Sequence, residues 1–168
     1  YNASTHNLIE ESKPGGVKSS VIWGYNNLLP IATVLNAGQN EVLVLDFENN
    51  TSADAHTGKG AGPDNYIVTF TGQSTRPYRI TYWYKQGEEW KFSGELPYTL
   101  SSMTLSLGTA VDDVRIYPTG TDITTYTYEP LKGITSEIDG KNLTTYYEYD
   151  SLGRLQLVRN QNREILKK

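Results

Sequence analysis

The chain has 168 residues, a net charge of −4 and a pI near 5.2, room for one full domain or a small domain with an appendage. The acidic balance argues against an electrostatic nucleic-acid footprint, and no apolar run reaches the ~18 residues of a membrane span. The absence of cysteine excludes disulfides, thiolate metal sites and a cysteine nucleophile.

Thirteen Tyr stand beside three Phe, which points to half-wet strands instead of buried helices. The sequence opens at Tyr1 with no signal-like segment and reads as a mature or excised piece. Residues 1–40 read as a hairpin segment and linker, with strand-like runs at Asn7–Ile9 and Val21–Tyr25 around a Lys13–Gly16 turn. Residues 41–118 read as one sandwich, opening with Val42–Glu48 and closing with Val111–Pro118. Within it Tyr78, Ile80, Tyr82 and Tyr84 alternate with Arg79, Thr81, Trp83 and Lys85, a half-buried strand. Tyr66–Phe70 and Met103–Leu107 alternate in the same way. Turn clusters separate these runs, so the predicted class is all-β and antiparallel.

Residues 119–168 repeat internally. Tyr128 to Tyr149 is a step of 21 residues and Gly133 to Gly153 a step of 20, and a period of this size signals a repeat architecture. Each copy predicts a strand, a turn and a second strand. The stretch Tyr147-Glu148-Tyr149-Asp150-Ser151-Leu152-Gly153-Arg154-Leu155 resembles the signature of the Rhs/YD-repeat family of bacterial surface or secreted proteins. The copy before it departs, with Glu129-Pro130 for the Asp and Gly133-Ile134 for the Gly-Arg. Trp23–Ala32 is similar to a segment found in such proteins. The resemblance implies β-hairpins that wrap into a shell in long arrays and carry toxin or adhesive functions. It also implies an extracellular or cell-surface location and a larger repeat protein as the immediate partner.

More loosely, the middle segment resembles the jelly rolls of carbohydrate-binding modules. The carriers are Asp46-Phe47-Glu48, Ala55-His56-Thr57-Gly58-Lys59 and Val111–Ile116. In that family the early Glu and late Asp help hold a structural calcium ion, which here implies Glu48, Asp112 and Asp113. Parity offers separate support: Asp112 has the same parity as Val114 and Ile116, so it points inward if they do, and a buried carboxylate needs a cation, a basic partner or a set of backbone N–H groups. Hard oxygen ligands suit Ca²⁺. The competing reading makes Asp112 and Asp113 an exposed strand-end turn capped by Arg115 or a Lys.

Trp83, an aromatic on the polar face of its strand, is the first ligand candidate: a platform for a sugar ring, with Arg79 or Lys85 as donors. Packing under a loop or against the repeat hairpins is the other reading, and Trp90 is a second candidate. No catalytic constellation emerges. His6 and His56 lack metal-motif spacing, and there is no nucleophile elbow or P-loop. Glu88 and Glu89 point to opposite strand faces and read as solvated charges. The expectation is a non-enzymatic structural or adhesive segment with weak glycan binding; the alternative is a dedicated carbohydrate-binding module with a repeat spacer. The strand ending at Lys167-Lys168 is expected to expose a sheet edge, open to homodimerisation.

Overall fold

The computed structural model describes residues 1–50, 54–99 and 101–168. Among these the chain is all-β, with one 3₁₀ turn at Gln39–Glu41 and no helix long and apolar enough to cross a membrane. In chain order the strands are β1 (Glu10–Glu11), β2 (Ser19–Gly24), β3 (Leu29–Leu35), β4 (Leu43–Leu45), β5 (Gly62–Pro63), β6 (Tyr66–Thr69), β7 (Tyr78–Gln86) and β8 (Glu89–Phe92). They continue with β9 (Leu96–Tyr98), β10 (Ser102–Leu105), β11 (Ala110–Pro118), β12 (Asp122–Glu129), β13 (Gly133–Ile138), β14 (Thr144–Tyr149), β15 (Leu155–Arg159) and β16 (Ile165–Lys167).

Both flanks share one sheet. It has eight strands in the order β1-β2-β3-β12-β13-β14-β15-β16. Its junction is the antiparallel pair β3–β12, with Leu35 opposite Asp122 and Ala32 opposite Thr125. Tyr25 seals one end of the junction: its ring meets Tyr128 edge-on at 5.4 Å, and its hydroxyl accepts the Tyr128 amide at 2.8 Å. Everything between β3 and β12 is folded elsewhere, as a central sheet β4-β11-β7-β8 with β5 and β9 on its margins, and a separate β6–β10 pair.

The central sheet is covered on both faces, as the alternation of its side chains requires. Ile80 and Tyr82 of β7 and Val111, Val114 and Ile116 of β11 pack with Val68 and Leu105 of the β6–β10 pair. Each such aliphatic burial stabilises by roughly 1.5–3 kcal/mol. Tyr117 and Val44 point the other way and meet Ala32, Val34 and Ile123 of the eight-stranded sheet. This double cover explains why β11 is buried along almost its whole length and why polar residues of β7 such as Thr81 are also inside.

The repeat hairpins share one turn design. Asp139 Oδ1 accepts the amides of Lys141 and Leu143, Asp150 Oδ1 those of Leu152 and Arg154, and Asn160 Oδ1 those of Asn162 and Glu164, all at 2.8–3.0 Å. The fourth residue of each turn, Asn142, Gly153 or Arg163, is left-handed with φ between 63° and 76°. An Asp or Asn side chain that satisfies two turn amides is the physical content of the Asp in the Tyr-Asp motif. Arg154 adds a guanidinium bond from Nε to Asp150 Oδ2 at 2.8 Å. The Glu129–Gly133 turn lacks this cap, in line with its divergent sequence.

Candidate functional site

A bulge in β11 creates the site. Opposite β7, Asp112 faces Trp83 and Arg115 faces Thr81, so three steps along β11 match two along β7. Asp113 takes up the extra residue at φ 50°, a left-handed conformation that Asp tolerates better than most side chains. The slip puts Val111 and Val114 on the same face. Sequence parity, which groups Asp112 with Val114 and Ile116, is therefore broken: Asp112 shares the face of its cross-strand neighbour Trp83. Its carboxylate is fully buried, but its partners are backbone amides. Oδ2 accepts His56 N at 2.9 Å and Thr57 N at 3.2 Å, while Oδ1 accepts Asp113 N at 2.8 Å. Burial first, and then the neighbouring Asp113 charge, push the Asp112 carboxyl well above the usual carboxylate range.

The loop that Asp112 holds presents His56 as a hub. Its Nδ1 lies 2.6 Å from Asp113 Oδ2, and its Nε2 lies 3.1 Å from the Tyr146 hydroxyl on β14. An ionised carboxylate only accepts, so Nδ1 carries a proton, and in the neutral ring Nε2 accepts from Tyr146. Thr57 Oγ1 donates to the other Asp113 oxygen at 2.6 Å. Trp83 stacks on the imidazole with ring centroids 3.8 Å apart and planes 13° apart. Burial holds the Tyr146 hydroxyl above its ordinary pKa, so it stays a donor. His56 thus ties the loop, the central sheet and the repeat sheet together, and both ring nitrogens are occupied.

The far side of the loop is fixed by Glu48. Its Oε1 accepts Lys59 N at 2.6 Å and its Oε2 accepts the Tyr25 hydroxyl at 3.0 Å. Gly58 sits at φ 61°, and a Cβ there would run into the Glu48 carboxylate; a Cβ on Gly60 would strike the Phe47 and Asn50 carbonyls. The glycines of this loop therefore serve close approach and a left-handed turn, not a phosphate cradle. Burial raises the carboxyls of both Glu48 and Asp46.

Arg115 crosses between the sheets. It is 1% exposed, and Nη1 donates to the Ile123 and Asp139 carbonyls, each at 3.3 Å, while Nη2 donates to Asn142 Oδ1. Its Nε and Thr125 Oγ1 are buried without a protein partner, and both residues line a small cavity of about 10 Å³, room for about one water.

The residues singled out by sequence divide as follows. Trp83 has one ring face covered by His56 and also lines the open cleft beside Trp90. Lys85 pairs with Asp54 and approaches Glu88, its side chain only 12% exposed. Arg79 lies opposite Tyr117 and Pro97, toward the other end of β7 from Trp83. Trp90 sits opposite Lys85 on β8 and does line an open cleft, with Tyr146 and the β15–β16 turn. Strands β4 and β11 are neighbours, but Glu48 turns to Lys59 and Tyr25 instead of meeting Asp112. Asp113 is engaged by His56 and Thr57, not by Arg115. Among the described residues no three His, Asp or Glu side chains gather as a metal cage.

His56 is the functional-looking residue that spacing rules pass over, since its partners lie 57 and 90 positions away. The available signal was the pairing of a His-Thr-Gly-Lys-Gly loop with an Asp-Asp in the closing strand. Comparison with known proteins assigns nothing further: no family model matches the chain, and no curated protein matches it.

Proposed function

We propose that this chain is a non-catalytic structural and adhesive segment of an extracellular bacterial protein of the YD-repeat kind, carrying a jelly-roll-like unit inserted within its repeat sheet. The observation that supports this reading most is the sheet itself. Hairpins related by a step of 20–21 residues in sequence add antiparallel strand after strand, and the ladder continues through the β3–β12 pair into the N-terminal hairpin. Such units bury their apolar faces only against neighbours. The inserted unit supplies that neighbour through Tyr117, Val44 and Arg115. The His56 hub fits a structural clasp: its nitrogens are consumed in holding three elements together.

The reading is tested by fractionating the native cells and screening the purified chain against hydrolase substrates. The protein is expected at the cell surface or in the medium, with no turnover. A purely cytoplasmic location, or turnover abolished by His56→Gln in a folded variant, would overturn it.

A further inference from the structure

Between the central sheet and the β15–β16 turn lies a cleft of about 460 Å³, within the ~300–1,000 Å³ typical of small-ligand sites. Its floor is aromatic: the half-buried Trp83 and Trp90 and the buried His56 and Tyr146. Its rim is polar and drawn from both units, with Glu89 on β8 facing Gln161, Asn162 and Arg163 of the turn. None of these rim side chains spends a polar atom on a hydrogen bond or ion pair; the Arg163 guanidinium only rests on the Tyr146 ring, 3.5 Å from its centroid. The turn is nonetheless rigid. Asn160 caps it with two amide bonds at 3.0 Å, Arg163 N donates to Asn160 O at 2.9 Å, and Arg159 Nη1 donates to Arg163 O at 3.0 Å. A rim held in place before binding loses little entropy on binding.

We infer that this cleft binds a neutral saccharide, with one ring laid on Trp90 and its hydroxyls shared between Glu89 and the Gln161–Arg163 turn. The chemistry selects this class. One free carboxylate accepts, one free guanidinium donates, two amides do both, and their charges cancel. Such a set matches paired hydroxyls, each of which donates and accepts, while the apolar face of a sugar ring packs on an aromatic. An anionic ligand would gain Arg163 but face Glu89, and a cation the reverse. The inference rests on the adhesive part of the proposed function. It places the ligand on a surface shared by the inserted unit and the last repeat turn, away from Arg79.

The test is a printed array of neutral, sialylated and uronic-acid oligosaccharides probed with the full chain, repeated with Glu89→Gln, the double variant Gln161→Ala/Asn162→Ala, and Arg79→Ala as control. All four positions are exposed or half-buried, and folding of each variant is checked by its melting temperature. Neutral glycans are expected to bind, with a loss of tenfold or more in Glu89→Gln and in the double variant and none in Arg79→Ala. An NMR titration with the strongest binder should shift the Trp90 indole and Tyr146 ring resonances. Binding that survives both rim changes would overturn the cleft while leaving the adhesive reading standing. Binding confined to acidic glycans would overturn the ligand class, and no binding at all would overturn both, leaving the scaffold.

Discussion

Asp112→Ala is the sharpest probe of how the loop is held. The substitution removes the acceptor for three buried backbone amides, those of His56, Thr57 and Asp113. No other side chain takes their place, and each orphaned buried donor costs about 1–3 kcal/mol. The expected loss is therefore at least about 3 kcal/mol, a large part of the ~5–15 kcal/mol that holds a domain together. For a chain of this size that is a fall in Tm of roughly 6–12 °C. Asp112→Asn separates the hydrogen bonds from the charge. Its carbonyl can keep the His56 and Thr57 amides while its NH₂ opposes only Asp113 N, so a loss of about 1–2 kcal/mol is expected. Because the folded carboxyl is raised above its unfolded value, wild-type stability from this group is greatest below about pH 3.9 and declines as pH rises through the folded value. Urea titrations at several pH values would show that decline in the wild type and a shallower one in Asp112→Asn, where only the raised Asp46 and Glu48 carboxyls still contribute. A Tm for Asp112→Ala within about 2 °C of wild type, or an unchanged pH slope in Asp112→Asn, would refute the account.

Three further outcomes are expected. Tyr25→Phe strips the acceptor from Tyr128 N and a donor from Glu48, lowering stability by about 1–2 kcal/mol and speeding amide exchange at Tyr128 in NMR. Arg115→Ala leaves the Ile123 and Asp139 carbonyls facing a buried void and should cost about 3 kcal/mol or more by chemical denaturation; Arg115→Lys should rescue little, because one ammonium cannot reproduce the guanidinium fork. Asp150→Ala should fray the turn, seen as faster exchange at Leu152 and Arg154. In the wild type, where bonds from Arg154 hold the Asp150 carboxyl below its usual range, that protection is present at neutral pH and is lost as pH falls through the folded value.

The strands were legible in sequence where burial is one-sided. The Tyr78–Lys85 alternation became β7, and the Tyr66–Phe70 and Met103–Leu107 runs became the β6–β10 pair. Face assignment failed where a bulge or a second cover intervened. No local pattern announces that Asp113 will turn left-handed, yet that one residue moves Asp112 to the opposite face from Val114. Trp83 stands on the polar face of its strand between Thr81 and Lys85, and the His56 loop stacks over one face of its ring while the ring still borders an open cleft. The run Val42–Glu48 gave only a three-residue strand, since Phe47 at φ 50° bends the chain away. The Tyr excess was readable as strand chemistry. Its division was not: Tyr82 lies within the apolar core, while Tyr25 and Tyr146 spend their hydroxyls joining separate elements.

The β3–β12 junction has a consequence for the order of folding. The hairpins β2–β3 and β12–β13 need only short loops to close. Their mutual pairing joins Leu35 to Asp122, and the loop-closure entropy it must overcome is that of the whole intervening chain. Once the inserted unit has folded, Asn36 Nδ2 donates to Gly120 O at 2.9 Å, and Arg76 reaches the Thr119 and Asn36 carbonyls. The two ends then stand side by side, and most of that entropy has already been lost. Loop-closure entropy therefore favours pairing across the junction after the insert has folded, with the guest unit as an internal template for its host.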